Sequence, residues 1–145
     1  MTETKGKVVG MKITLVEEKS LSREQLLHYA WTSGDENPIH YDEDAAKKRG
    51  LPKLIVHGMY LYNLSYKAVD DYLRHKALPY RIAEMAAKFA GMTFVDVKFS
   101  IEMDPPDPWE GPELKVRVFL IKKEGAQLNC SFQMTLERLE PLAKA

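Results

Sequence analysis

The sequence contains a single cysteine, Cys130. One thiol cannot close an internal disulfide, so a disulfide-stapled scaffold is excluded and a reducing compartment suits the chain. Neither sign of charge is in excess, because Lys plus Arg and Asp plus Glu both number 21. Phosphate neutralisation usually requires a basic surplus, so nucleic acid is not the expected partner. No run approaches the roughly 20 apolar residues of a membrane-crossing helix. The opening MTETKGKVVG is polar and lacks the apolar stretch of a signal peptide. The expectation is a cytoplasmic protein with neither membrane nor nucleic acid as partner.

What is present is enough for an ordinary core. Of 145 residues, 45% are hydrophobic and 29% charged, which fits one domain over residues 1–145. Alternation at Met11, Ile13 and Leu15 predicts a strand over residues 10–18. Ser22 and Gln25 have the spacing of a capping box, which predicts a helix with Leu26, Tyr29, Ala30 and Ser33 on one face and Gly34 ending it. Asp42, the acidic pair Glu43 and Asp44, and the basic run Lys47 to Arg49 predict a short helix over 42–49 that Gly50 stops. Residues 58–74 have apolar or aromatic residues on nearly every side, which predicts a buried central helix. Strand-like spacing follows over 87–102, 113–123 and 126–138, with Glu124-Gly125 as the turn of a final hairpin. Residues 78–91 fit helix or strand. The segment 104–112, with four prolines and a glycine, fits neither helix nor central strand. Helices gathered before strands predict α+β, an antiparallel sheet packed on the buried helix.

The segment SGDENPIH (33–40) carries the chemistry. Asp35 and His40, five residues apart, would diverge by about 140° on a continuous helix. Gly34 and Pro38 rule that helix out, and Asn37 favours a turn that can bring the two side chains together. A carboxylate and an imidazole suit proton transfer near neutral pH.

GDENPIH resembles the hydratase motif G-D-x-N-P-(aliphatic)-H of MaoC-like dehydratases and (R)-specific enoyl-CoA hydratases. The similarity continues through YDEDAAKKRG (41–50) and IVHGMYLYNLS (55–65), over roughly residues 22–66. It implies a hot-dog fold, a sheet wrapped around one long helix, in a homodimer or higher homo-oligomer. It implies interconversion of trans-2-enoyl and (R)-3-hydroxyacyl thioesters of coenzyme A or acyl carrier protein, without a cofactor. Asp35 and His40 are then the catalytic pair. Gly58, at the start of the long helix, is the expected oxyanion donor through its N–H. Asn37 and His57 are the other expected substrate contacts, His57 having a second reading as a link between loop and helix. The pattern departs from the family after Phe89, where a proline and a Gly-Asp turn are absent, and in the crowding of Tyr60, Tyr62 and Tyr66.

Other residues are read as follows. His40, Asp42, Asp44 and His57 do not have the spacing of a metal motif, and no metal is expected. Cys130 reads as core, alternating with Leu128, Phe132 and Met134. Trp31 is expected to pack, and Trp109 to lie at an interface or pocket rim. Lys47, Lys48, Arg49 and Lys53 either form a solvated helix end or meet coenzyme A phosphates. Two alternative functions share the architecture: an acyl-CoA thioesterase, and a non-catalytic acyl-CoA-binding subunit of a larger dehydratase.

Overall fold

A computed structural model describes residues 12–105 and 112–140. Strand β1 (Ile13–Lys19) leads into helix α1 (Arg23–Ser33), a short 3-10 turn (Pro38–His40) and helix α2 (Glu43–Lys48). Helix α3 (Gly58–His75) follows, then β2 (Tyr80–Phe89), β3 (Phe99–Asp104), β4 (Glu113–Lys122) and β5 (Gly125–Arg138). All strand pairs are antiparallel, in the order β1-β3-β4-β5-β2. This is the α+β hot-dog arrangement, one sheet wrapped on one long helix. Met11 and Trp109 lie outside the described residues.

The local signals act as chemistry requires. Ser22 Oγ accepts the Gln25 N–H at 3.2 Å, and Gln25 Oε1 accepts the Ser22 N–H at 2.9 Å. Gly34 ends α1 at φ 83°, a left-handed conformation that costs a residue with a Cβ. Asp42 Oδ1 accepts the Asp44 and Ala45 N–H groups and so caps α2.

The core lies on one face of the sheet. Phe99, Ile101, Met103, Leu114, Val116, Val118, Phe132 and Met134 are buried there, with Leu26, Leu54 and Val56 in the same cluster. Helix α3 gives this core Leu61, Ser65, Val69 and Leu73, spaced four apart. The expectation of an all-round buried helix is corrected here. One stripe of α3 is buried, while Met59 and Tyr66 are 51% and 42% exposed in the single chain. Tyr62 and Tyr66 border a groove, while Tyr60, Tyr62 and Tyr72 also pack partly against the core.

Three further expectations change. Residues 78–91 resolve as an edge strand, β2, whose residues are mostly exposed on both faces. The extended stretch expected over 87–102 splits: residues 87–89 end β2, Phe99–Asp104 is β3, and the chain between them is a loop that touches Ile55 through Phe94 in one isolated bridge. Finally, Leu128 is 44% exposed, not core. Val118 pairs with Cys130 but Phe119 pairs with Leu128, so Asn129 is an extra residue on β5. This β-bulge resets the alternation, and Asn129 and Cys130 are buried side by side.

Candidate active site

The loop 33–40 is shaped by its own side chains. Ser33 Oγ accepts the Asp35 N–H at 3.1 Å, and Asn37 Oδ1 accepts the Ile39 N–H at 3.2 Å. Tyr41 closes the loop by donating its hydroxyl to Glu36 O at 3.0 Å. Asn37 therefore has its carbonyl oxygen committed to the turn, the role its position predicts. Trp31, expected to pack, is 77% exposed at the end of α1. The helix buries Leu26 and Ala30, and Trp31 follows on the solvent side.

The turn brings the expected pair together. His40 Nε2 lies 3.9 Å from Asp35 Oδ2. That is too long for a hydrogen bond, so both atoms keep lone pairs for a third species. Their surroundings differ: the His40 side chain is 9% exposed and that of Asp35 is 54% exposed. At 2.6 Å from His40 Nδ1 lies Ile55 O. A carbonyl only accepts, so Nδ1 carries the proton and, in the neutral ring, Nε2 is the free acceptor. The imidazole is thus held in the tautomer that presents a base towards Asp35.

His57 joins the loop to α3. Its ring stacks on His40 at 3.6 Å between centroids and 18° between planes. Its Nε2 donates to Asp35 O across 3.2 Å. The residue is fully buried, and its Nδ1 has no partner among the described residues. Burial, and then the neighbouring His40, push its pKa below the ordinary 6.5. A neutral His57 adds no charge beneath the His40 ring. Direct access of substrate to His57 is limited by this burial, whereas its link between loop and helix is explicit.

Gly58 is the first residue of α3, whose N-cap His57 makes no side-chain capping bond. The Tyr60 N–H already donates to His57 O at 3.0 Å, so it is the Gly58 and Met59 N–H groups that can meet an anion at the positive end of the helix dipole. Glycine has a second reason here, unforeseen in the sequence: a Cβ would stand 3.2 Å from the Phe89 ring.

Around this centre sit residues that the sequence did not mark. Tyr29 from α1 meets His57 edge-on at 4.8 Å and stacks on Tyr60 at 4.4 Å. Its hydroxyl oxygen accepts from Asn63 Nδ2 at 2.9 Å. Burial, offset in part by that bond, raises its pKa, so it remains a proton-bearing phenol. Tyr29 was legible only as a helix-face residue; its stacking partners come from a distant element. Asn63 also borders a groove of about 330 Å³ between α3 and β2, with Tyr62, Tyr66, Ile82 and Met85.

Two other chemistries fit poorly. Asp35, His40 and His57 have ligand atoms within 4.8 Å of one another. Stacked rings, however, place their nitrogen lone pairs in near-parallel planes that cannot converge on one ion, and each ring commits a nitrogen to a carbonyl. Cys130 is buried and its thiol is pushed up to about 12, so it is a core residue and not a nucleophile.

The MaoC like domain family matches residues 4–107. Among curated proteins, the chain is 36% identical over 61 residues to the enoyl-CoA hydratase ChsH3 of Mycobacterium tuberculosis, covering 42% of this chain and 21% of that protein. It is 42% identical over 45 residues to the mitochondrial 3-hydroxyacyl-[acyl-carrier-protein] dehydratase of Arabidopsis thaliana, covering 31% of this chain and 27% of that protein. The chain thus spans about a quarter of the length of these relatives or less. The C-terminally truncated HadBC (3R-hydroxyacyl-ACP dehydratase) complex of Mycobacterium tuberculosis has a chain of the same fold, with a TM-score of 0.70 at 19% identity over 90% of this chain and 97% of that one.

Proposed function

This chain belongs to the MaoC-like dehydratase domain family, and from that premise we propose that it interconverts trans-2-enoyl and (R)-3-hydroxyacyl thioesters. The observation that carries the reading is His40, fixed by Ile55 O with its Nε2 facing Asp35 at 3.9 Å, beside the open N-terminus of α3. Hydration adds one water: its oxygen bonds to C3, one proton leaves that water, and one proton arrives at C2. Between them, a neutral His40 and Asp35 supply a base for the first transfer and, once one is protonated, an acid for the second. Which residue gives and which takes belongs to the pair as a coupled unit. Negative charge on the thioester oxygen is met by the Gly58 N–H at the helix start. No cofactor enters this scheme. The relatives named for an enoyl-CoA hydratase and a 3-hydroxyacyl-[acyl-carrier-protein] dehydratase support both carriers, coenzyme A and acyl carrier protein, as substrates' handles.

The test is loss of the conjugated enoyl absorbance of crotonyl-CoA. Asp35→Asn and His40→Gln should each lower kcat by at least about a hundredfold while the folded spectrum is kept. Unchanged turnover in both variants sinks the reading. Absorbance loss accompanied by stoichiometric release of free thiol would identify a thioesterase. Activity that appears only after mixing with a second subunit would identify a partner role.

The active form is read as a homodimer. Supporting this, β2 lies at the sheet edge, and Met59, Phe89, Met92 and Leu128 are each about half exposed. A cytoplasmic setting is the matching expectation for a chain with one buried thiol.

A further inference from the structure

The bulge in β5 lies far from the Asp35 loop in sequence but is joined to it by an unbroken set of hydrogen bonds. Asn129 O accepts the N–H groups of Ala90 at 2.8 Å and Gly91 at 3.1 Å. The Asn129 side chain donates to Thr93 Oγ1, and the two residues are 3% and 2% exposed. Thr93 O in turn accepts the Val56 N–H at 2.7 Å, and Leu54 O accepts the Val95 N–H at 2.9 Å. Ile55 stands between those two clamps and bridges to Phe94. It receives one further bond from each direction: its N–H donates to Ile39 O at 3.3 Å, and its O accepts His40 Nδ1.

We propose that Asn129 and Thr93 are positioning residues for the acid–base pair, holding the Ile55 carbonyl where it selects the Nδ1–H tautomer of His40. The physical grounds are burial and satisfaction. A regular strand would carry no extra residue at 129, and the bulge is what turns a polar side chain inward to meet Thr93. Buried polar pairs that are fully bonded fix one arrangement of the segments they join. Gly91 belongs to the same device, since a Cβ there would stand 3.1 Å from Asn129 Oδ1. Loosening the clamp frees the 54–56 segment, and a displacement of the order of 1 Å in an acid–base site costs up to about a hundredfold in rate.

The inference rests on the hydratase reading for its kinetic arm, and has a second arm that does not. Thr93→Val keeps shape and removes the acceptor; Thr93→Ser restores it; Asn129→Leu removes the donor. Nitrogen-15 spectra of imidazole-labelled protein should show His40 as the Nδ1–H tautomer in the wild type and Thr93→Ser, with a growing Nε2–H share in Thr93→Val and Asn129→Leu. With crotonyl-CoA, kcat should fall about tenfold or more in those two variants while KM stays within about twofold, and Thr93→Ser should recover it. Leu73→Ala, at the far end of α3, is the control for general destabilisation. If Asn129→Leu does not fold, Thr93→Val decides alone. A wild-type tautomer and rate in Thr93→Val, or equal losses in Leu73→Ala, would overturn the proposal. Absence of wild-type hydration would overturn the functional reading and leave the tautomer measurement to decide this one.

Discussion

At the scale of single residues, the site is a contrast between an enclosed imidazole and an open carboxylate. His57 adds a pH dependence that can be signed. Its native pKa is lowered by burial, while the unfolded ring titrates near 6.5. Between those values the unfolded chain holds a proton that the native chain refuses, so stability rises with pH through that window and this group's contribution is constant on either side of it. Thermal melts from pH 7.5 down to 5.5 should show a declining Tm, and His57→Gln should flatten that decline. Asp35 and His40 were legible in the sequence as two titratable groups joined by a turn, which the structure brings to 3.9 Å, while their proposed catalytic role came from the resemblance of the GDENPIH motif. The partner that fixes the imidazole was not legible. It is the backbone carbonyl of Ile55, which any residue would carry. Asn129 and Thr93 were hidden for a related reason: in a strand pattern each reads as one more polar position.

At the scale of elements, the clearest signals were those confined to a few neighbouring residues. The capping box, the Asp42 cap and the Gly34 stop all depend on contacts within one turn, and all are present. Ser22→Ala should therefore lower stability by about 1 kcal/mol, read as a shift in urea midpoint without a change in slope. Gly34→Ala should cost about 1 kcal/mol as well, because φ 83° strains a residue with a Cβ. It should also lower the rate, since the strained peptide adjoins Asp35. Elements set by distant contacts were less legible. Strand β2 showed no alternation because its outer edge has no strand beside it among the described residues. Tyr66 of α3 looked like core because composition cannot tell a buried stripe from the wall of a groove.

At the scale of the whole molecule, one cluster joins the sheet, α3 and the segment before it. Phe132 sits at its centre, edge-on to both Phe89 and Tyr62. Phe132→Ala should cost about 3–5 kcal/mol and release Phe89 from its place beside Gly58, so calorimetry and the hydration assay should fall together. The open edge and half-exposed apolar residues lead to an expected mass of two chains by sedimentation equilibrium. A single-chain mass at micromolar concentration with full activity would remove the homodimer.

The extra residue at Asn129 also has a consequence for anyone wishing to stabilise this protein. Straightening β5 by deleting it would join Leu128 directly to Cys130, keep Leu128 outward opposite Phe119 and make the ladder regular, a change that design rules favour. The same deletion removes the only inward-facing amide that reaches Thr93 among the described residues. A regular strand here would leave Thr93 without its buried donor, so a variant with an idealised β5 should melt at a lower temperature than the bulged protein, as well as lose the rate that the proposed clamp supports.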